Sequence, residues 1–199
     1  MNKTVLEIAN LAIDHTGSGS RISAFEEDST EARTCKNFIY ITRDNHLKEY
    51  DWKFARRLDV PLKLLELKPH RDWGYSYLYP SDCLELRYVG DGTSLYIEAV
   101  DGNRRRVLYS NEPTLTVTYT TDSLPDSYPS DFALGWSYGL AITILPKVNQ
   151  GNIKTLLPYL RDMYKMVMDK AVENNANTES PDYEQSDVMA AGGFYEIIP

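Results

Sequence analysis

Cysteine, histidine and long apolar runs are all scarce in this chain, and each scarcity removes a class of protein. Two cysteines, Cys35 and Cys83, stand in unrelated segments of the 199 residues. Without paired spacing they exclude a disulfide scaffold and a cysteine-rich zinc site, and they point to a reducing compartment. The three histidines, His15, His46 and His70, lack metal-ligand spacing, so each reads as a packing or surface residue. The most apolar stretch, 132–145, is shorter than a bilayer requires, and Glu7 interrupts the one N-terminal run that could act as a signal sequence. The expectation is a protein that neither spans a membrane nor leaves the cell by a standard signal. Basic residues are missing from one end: 173–199 holds six acids (Glu173, Glu179, Asp182, Glu184, Asp187, Glu196) and no Lys or Arg. Most of the net charge of −8 therefore sits in the tail, and the rest of the chain carries only −2. That excludes a strongly repulsive acidic body.

What is present divides by periodicity. Val5, Ile8, Ala9, Ala12 and Ile13 follow helical spacing and stop at Gly17, which predicts a helix over 3–15. A Gly/Ser link follows. Asp28 and Glu31 have capping-box spacing ahead of Ala32, Cys35, Phe38, Ile39, Thr42 and His46, which predicts a second helix over about 29–50. From 61 to 122 the period becomes two, in Leu84/Leu86/Tyr88, Leu95/Ile97/Ala99 and Leu115/Val117/Tyr119. Gly90-Asp91-Gly92, Asp101-Gly102 and Asn111-Glu112-Pro113 break these runs with turn chemistry, so an antiparallel meander is expected. Helices return at Pro129-Ser130-Asp131. The segment 132–145 is apolar all round, as in a helix buried between others. A fourth helix carries Ile153, Leu156, Leu157, Leu160, Tyr164, Val167 and Ala171 on one face, with Pro158 either kinking it or marking its first turn.

The expected fold class is α+β. About four helices (1–60 and 123–173) form a bundle, an antiparallel β lobe (61–122) is inserted between the second and third, and an extended acidic tail (174–199) follows. The tail ends in apolar residues, Val188, Met189, Phe194, Tyr195, Ile197 and Ile198, which are the expected anchor on a neighbouring subunit or a partner.

Trp73, Tyr75, Tyr77 and Tyr79 occupy every second position ahead of a Pro-Ser-Asp break. In an extended chain all four rings share one face. Rings with polar tips suit a half-wet contact surface, but spacing alone favours a half-buried strand packed on its own core. Arg104, Arg105 and Arg106 follow the Asp-Gly-Asn turn of a hairpin, where they could touch nucleic-acid phosphates or form a solvated or protected sheet edge.

Several stretches imitate catalytic motifs. Gly135-Trp136-Ser137-Tyr138-Gly139 matches the nucleophile elbow, but that elbow needs an incoming strand and a later histidine, and all three histidines precede Ser137. Glycines four apart in a helix instead make a shallow stripe for close helix packing. Gly17-Ser18-Gly19-Ser20 lacks the lysine of a phosphate loop. Glu26, Glu27 and Asp28 precede a helix, where carboxylates favour the dipole. The residues predict no catalytic centre, cofactor or metal.

At two places the sequence resembles the head–tail adaptor family of short-tailed bacteriophages, also called tail tubular protein A. The first is 21–55: Arg21-Ile22-Ser23, an acidic cluster, Glu31-Ala32, Cys35, Arg43-Asp44 and the closing Trp52-Lys53-Phe54-Ala55. The second is the aromatic run Trp73, Tyr75, Tyr77 into Pro80, Asp82, Cys83 and Leu84. Gly135 and Gly139 depart from the Ala or Leu expected there.

The resemblance implies a helical bundle with a β lobe between its second and third helices. It also implies a ring of about a dozen subunits, a closed cyclic assembly. That ring would sit beneath the portal of the capsid and carry a tail nozzle (tubular protein B-like) and fibres. Double-stranded DNA would pass through it without sequence-specific binding. The protein would belong to the virion tail, assembled in the host cytoplasm. On this basis Trp73, Tyr75, Tyr77, Tyr79 and Arg104–Arg106 are expected to meet nozzle or fibres, and the apolar tail residues to meet the portal or a neighbouring subunit. Two alternatives stay open: a tail-associated cell-wall hydrolase, which would need Glu26 and Asp28 across a cleft, and an oligomeric module unrelated to phage.

Overall fold

The computed structural model describes residues 2–66, 72–122, 124 and 128–177. In chain order they form α1 (Val5–His15), α2 (Thr30–Glu49), β1 (Arg56–Pro61), β2 (Tyr75–Leu78), β3 (Cys83–Val89), β4 (Tyr96–Val100), β5 (Arg106–Ser110), β6 (Thr116–Thr121), α3 (Ser130–Val148) and α4 (Ile153–Asn177). The class is α+β, with four helices and two small antiparallel sheets.

Local chemistry starts the first two helices differently from expectation. The capping box belongs to α1: the Thr4 amide donates to Glu7 Oε2 at 2.9 Å and the Glu7 amide donates to Thr4 Oγ1 at 3.3 Å. At α2 the cap is Ser29, whose hydroxyl accepts from the Ala32 amide at 3.1 Å. Asp28 stands one residue too early and meets Arg33 at 3.1 Å instead.

α3 is the central helix, packed against α1, α2 and α4. Two glycines set how closely. A β-carbon on Gly135 would collide with Met168 Sδ of α4, and one on Gly139 would collide with the His46 ring of α2. Around them five rings, Trp52, Phe54, Tyr128, Phe132 and Trp136, form one cluster, with Trp52 edge-on to Phe132 at 5.0 Å and Tyr128 edge-on to Trp136 at 5.1 Å. Both buried indoles are satisfied. Trp52 Nε1 donates to the His46 carbonyl at 2.8 Å, and Trp136 Nε1 donates to Thr42 Oγ1 at 3.0 Å. Each such side chain contributes about 1.5–3 kcal/mol by leaving water.

α4 continues past the expected end at 173. Asn175 Nδ2 donates to the Asp51 carbonyl at 2.9 Å, and Lys53 Nζ donates to the Ala176 carbonyl at 2.8 Å. These bonds hold 174–177 as helix despite their polar sequence. Pro158 lies inside α4, beyond its first turn.

The strands do not form a meander. Their order is β1-β6-β3 in one sheet and β2-β5-β4 in the other. The switch is the Pro80-Ser81-Asp82 turn, which carries the chain from one sheet to the other. The Asp82 carboxylate accepts from Tyr119 OH at 2.9 Å and Thr121 Oγ1 at 2.7 Å, both on β6, and lies 3.2 Å from Arg57 Nε of β1. Tyr77 and Leu108 from one sheet and Val89, Val117 and Tyr119 from the other share a single small core.

Arg87 of β3 joins sheet to bundle. Its Nη2 lies within hydrogen-bond distance of the carbonyls of Leu47 (3.0 Å), Lys48 (3.0 Å) and Tyr50 (2.8 Å), at the end of α2, and its Nε donates to Thr120 Oγ1 at 2.9 Å. Carbonyls at a helix C-terminus have no partner within the helix, so a cation there is favourable.

Candidate functional site

The catalytic imitations resolve into packing. Ser137 is fully buried in α3, where its hydroxyl donates to the Leu134 carbonyl at 2.7 Å. Sequence order did not foresee that α1 brings His15 to it, with Nε2 3.2 Å from Ser137 Oγ and the ring stacked on Tyr138 at 3.9 Å. The pair is still not a nucleophile and base. The serine faces no solvent, no strand leads into it, and the adjacent Asp14 carboxylate is held by Arg21 at 2.6 Å. Burial pushes the His15 ring below its ordinary pKa, against the pull of Asp14, so it is neutral at pH 7.

Glu26 and Asp28 are engaged by Lys36 at 3.5 Å and Arg33 at 3.1 Å. Glu27 Oε1 accepts from the Ser23 and Ala24 amides, which makes that cluster a turn. Among the described residues no three of His, Cys, Asp and Glu converge as they would to hold a metal ion. No helix among them is long and apolar enough to cross a membrane.

The tyrosine stripe divides. Trp73 and Tyr75 are half-buried, whereas Tyr77 and Tyr79 are 1% and 6% exposed and form part of the core between the sheets. The alternate rings do share a face, but at Tyr77 and Tyr79 that face points inward. The correction has a physical basis: each hydroxyl finds a partner inside the lobe. Tyr77 OH donates to the Glu112 carbonyl, and Tyr79 OH meets Cys83 Sγ at 3.4 Å. Burial pushes both phenols above their ordinary pKa. Tyr77 and Tyr79 are therefore unavailable for the outward contact expected of them.

The three arginines separate in the same way. Arg106 lies over the Tyr79 ring at 3.7 Å and reaches Glu98 at 3.2 Å. Arg105 pairs with Asp101 at 2.8 Å. The Arg105 and Asn103 amides and the Arg105 guanidinium hold the Asp101 carboxyl below its usual range, against desolvation. Arg104 stands at the hairpin tip, exposed like its two neighbours and in the left-handed region at φ 62°. Val188, Met189, Phe194, Tyr195, Ile197 and Ile198 lie outside the described residues.

Two exposed apolar surfaces escaped the sequence reading. One is β4 with its approach, where Leu95, Tyr96, Ile97 and Val100 all face solvent. The other is a groove between α3 and α4 lined by Leu134, Tyr138, Met163, Met166 and Val167. At β4 the signal was present: Leu95-Tyr96-Ile97 is apolar at consecutive positions, so one face of a half-buried strand could not absorb it.

The motif residues of the resemblance serve as architecture. Ala32, Cys35, Trp52 and Ala55 are core residues of the bundle, and burial, aided by Glu31, pushes the Cys35 thiol up to about 12. Asp82 and Cys83 form the crossing between sheets. No family model matches the chain, and no curated protein is similar to it at a significant level.

Proposed function

We propose that this chain is a structural head-to-tail adaptor of a short-tailed bacteriophage: a ring subunit that docks under the portal, extends the DNA conduit and seats the nozzle and fibres. The observation that carries this reading is where the two resemblance motifs fall. Trp52-x-Phe54-Ala55 lies where the bundle hands the chain to the strands, between α2 and β1. Pro80-x-Asp82-Cys83 lies where the chain crosses between sheets. In chain order the six strands fall between α2 and α3, as the resemblance implies.

The mechanism in this reading is geometric. Apolar side chains exposed on β4, with Trp73 ahead of β2 and Tyr75 at its start, supply contact area. A body of near-balanced charge lets DNA pass without gripping its phosphates. Lateral contacts are individually weak, so rings form on the portal template rather than in free solution. The test is to mix the purified chain with portal-bearing capsids and with capsids lacking portal. Co-sedimentation and a ring in electron micrographs are expected only with portal, and ultracentrifugation of the chain alone should give monomer at micromolar concentration. Absence of portal binding would overturn the reading.

A further inference from the structure

Of the four outer edges of the two sheets, three are blocked. β1 carries a register shift between Arg57 and Val60, with Asp59 at φ 46°, two arginines and a terminal proline. β3 carries two register shifts and lies against α2. β2 is covered by the bridge from Leu64 to Tyr77. Bulges, charge, proline and cover are the means by which proteins refuse an extra strand.

β4 has no bulge, proline or cover. Its register with β5 is uninterrupted from Tyr96 to Val100, and among the described residues nothing pairs with its other side. Its single charge, Glu98, is taken by Arg106. Leu95 at 78% and Val100 at 65% are among the most exposed apolar side chains described. The Asp101 amide bonds to Arg105 O at 2.9 Å, and the Tyr79 amide bonds to Arg106 O at 3.1 Å. By antiparallel alternation, residues 97 and 99 then face β5, while the backbone groups of Tyr96, Glu98 and Val100 point outward.

We propose that this edge accepts an extended strand, and that the strand is residues 194–198 of a second copy of this chain. Phe194-Tyr195-Glu196-Ile197-Ile198 has the aromatic and β-branched composition that strands favour. It repeats the pattern of Tyr96-Ile97-Glu98-Ala99-Val100 and stops at Pro199, which cannot donate to a ladder. Sixteen residues (178–193) separate it from the end of α4. At roughly 3.3 Å each, a spacer of that size reaches about 53 Å. The spacer carries Glu179, Asp182, Glu184 and Asp187, and the exposed Arg104 beside β4 offers the complementary charge. Main-chain bonds supply affinity in such strand addition, and flanking side chains supply selectivity. Two different patches on one chain make a heterologous contact, which closes into a ring where the rotation between neighbours closes; the choice of a second copy rests on the ring reading above.

The probe is a fluorescent peptide of residues 188–199, titrated into the full-length chain and followed by anisotropy. Saturable binding is expected, weakened at least tenfold by Ile97→Lys with Val100→Lys and unchanged by Leu58→Lys on β1. Both β4 positions are exposed, so the variant should fold, and circular dichroism checks that it does. No saturable binding, or equal binding by the β4 variant, would overturn the proposal.

Ile97→Cys and Ile197→Cys, carried on separate full-length chains, should cross-link with a bismaleimide on portal, since Cys35 and Cys83 are buried. With both substitutions in one dilute chain, a dominant intrachain product would overturn the assignment to a second copy. Recruitment to portal separates the two readings. Peptide binding at β4 without recruitment removes the adaptor reading alone. Full recruitment of the lysine variant, with no peptide binding, removes the strand alone.

Discussion

The helical bundle and the β lobe solve the problem of burial in different ways, and the difference shows where function can reside. The bundle turns nearly all its large side chains inward around α3, with five rings in mutual contact and both of its buried indoles hydrogen-bonded. The lobe has a small core shared by two three-stranded sheets. It nevertheless carries seven of the twelve large apolar side chains exposed among the described residues: Leu58, Leu64, Tyr88, Leu95, Tyr96, Ile97 and Val100. A small sandwich has too little interior for its apolar residues, because surface grows relative to volume as size falls. The bundle therefore carries stability, and the lobe carries contact area. Arg87 transmits one to the other through the end of α2.

The largest effect should come from breaking the bundle. Trp136→Ala removes a fully buried indole that touches Tyr128 and Phe132, and it leaves Thr42 Oγ1 without its donor. A loss of about 3–5 kcal/mol is expected, read as an earlier urea midpoint for both regions together. A midpoint unchanged within error would show that the bundle does not set the global stability.

Asp82→Ala should instead open the lobe while sparing the bundle. It removes the carboxylate that Tyr119 OH, Thr121 Oγ1 and Arg57 bind, which links β6 and β1 to the crossing turn. Loss of about 2 kcal/mol is expected. Hydrogen exchange should accelerate in β1 and β6 before it does in α3. Burial alone would raise the Asp82 carboxyl, but bonds from Thr121, Tyr119 and its own amide, with Arg57, hold it below the ordinary value. A depressed folded pKa contributes stability that is complete above the unfolded value, about 3.9, and is lost as pH falls through the folded one. The lobe should therefore resist mild acid.

This contrast also explains what could be read from the sequence. The helices were legible because Gly17 and Pro129-Ser130-Asp131 punctuate strong 3.6-residue periods. The end of α4 was not, because 174–177 are polar in sequence and their ties to Asp51 and Lys53 are long-range. Alternation located the strands at 84–88, 95–99 and 115–119 within a residue or two. It says which residues share a face, however, and not which strand lies beside which, so the 1-6-3 and 2-5-4 orders were hidden. For the same reason the Tyr75, Tyr77, Tyr79 stripe did not reveal that its last two rings turn inward. At β4 both faces carry apolar residues, so reading one face alone missed the exposed edge.

In mild acid the order should reverse, with the bundle yielding first. His46 is 6% exposed, its Nδ1 lies 2.7 Å from the Thr42 carbonyl, and its Nε2 is buried without a partner beside Gly139. Burial lowers its pKa, outweighing the Thr42 bond and the charge of Glu49, and His15 is lowered likewise. Because the unfolded chain then binds more protons, stability is full above the ordinary histidine value and falls as pH drops below about 6.5. The slope is at most about 1.4 kcal/mol per pH unit for each histidine. His46→Gln should flatten the decline between pH 7 and 5 in thermal melts. An identical slope in the variant would show that His46 does not carry it.

The smallest expected effect sharpens the comparison most finely, because it separates packing from charge on the lobe's outer face. Arg106 lies over the Tyr79 ring at 3.7 Å and bonds Glu98 at 3.2 Å, with its side chain 54% exposed. Lysine keeps the charge but cannot lie on the ring as a plane or present a fork to the carboxylate. Arg106→Lys should therefore cost only about 0.5–1 kcal/mol, the value of an exposed cation–π contact. It should leave the urea midpoint of the bundle where it is and speed exchange at the Tyr79 amide, which bonds to the Arg106 carbonyl. If the arginine instead organises the hairpin by charge alone, lysine would leave that exchange rate unchanged. Comparing Arg106→Lys with Arg106→Gln at low and high salt separates the two, because salt weakens the exposed Glu98 pair more than the short-range contact with the ring.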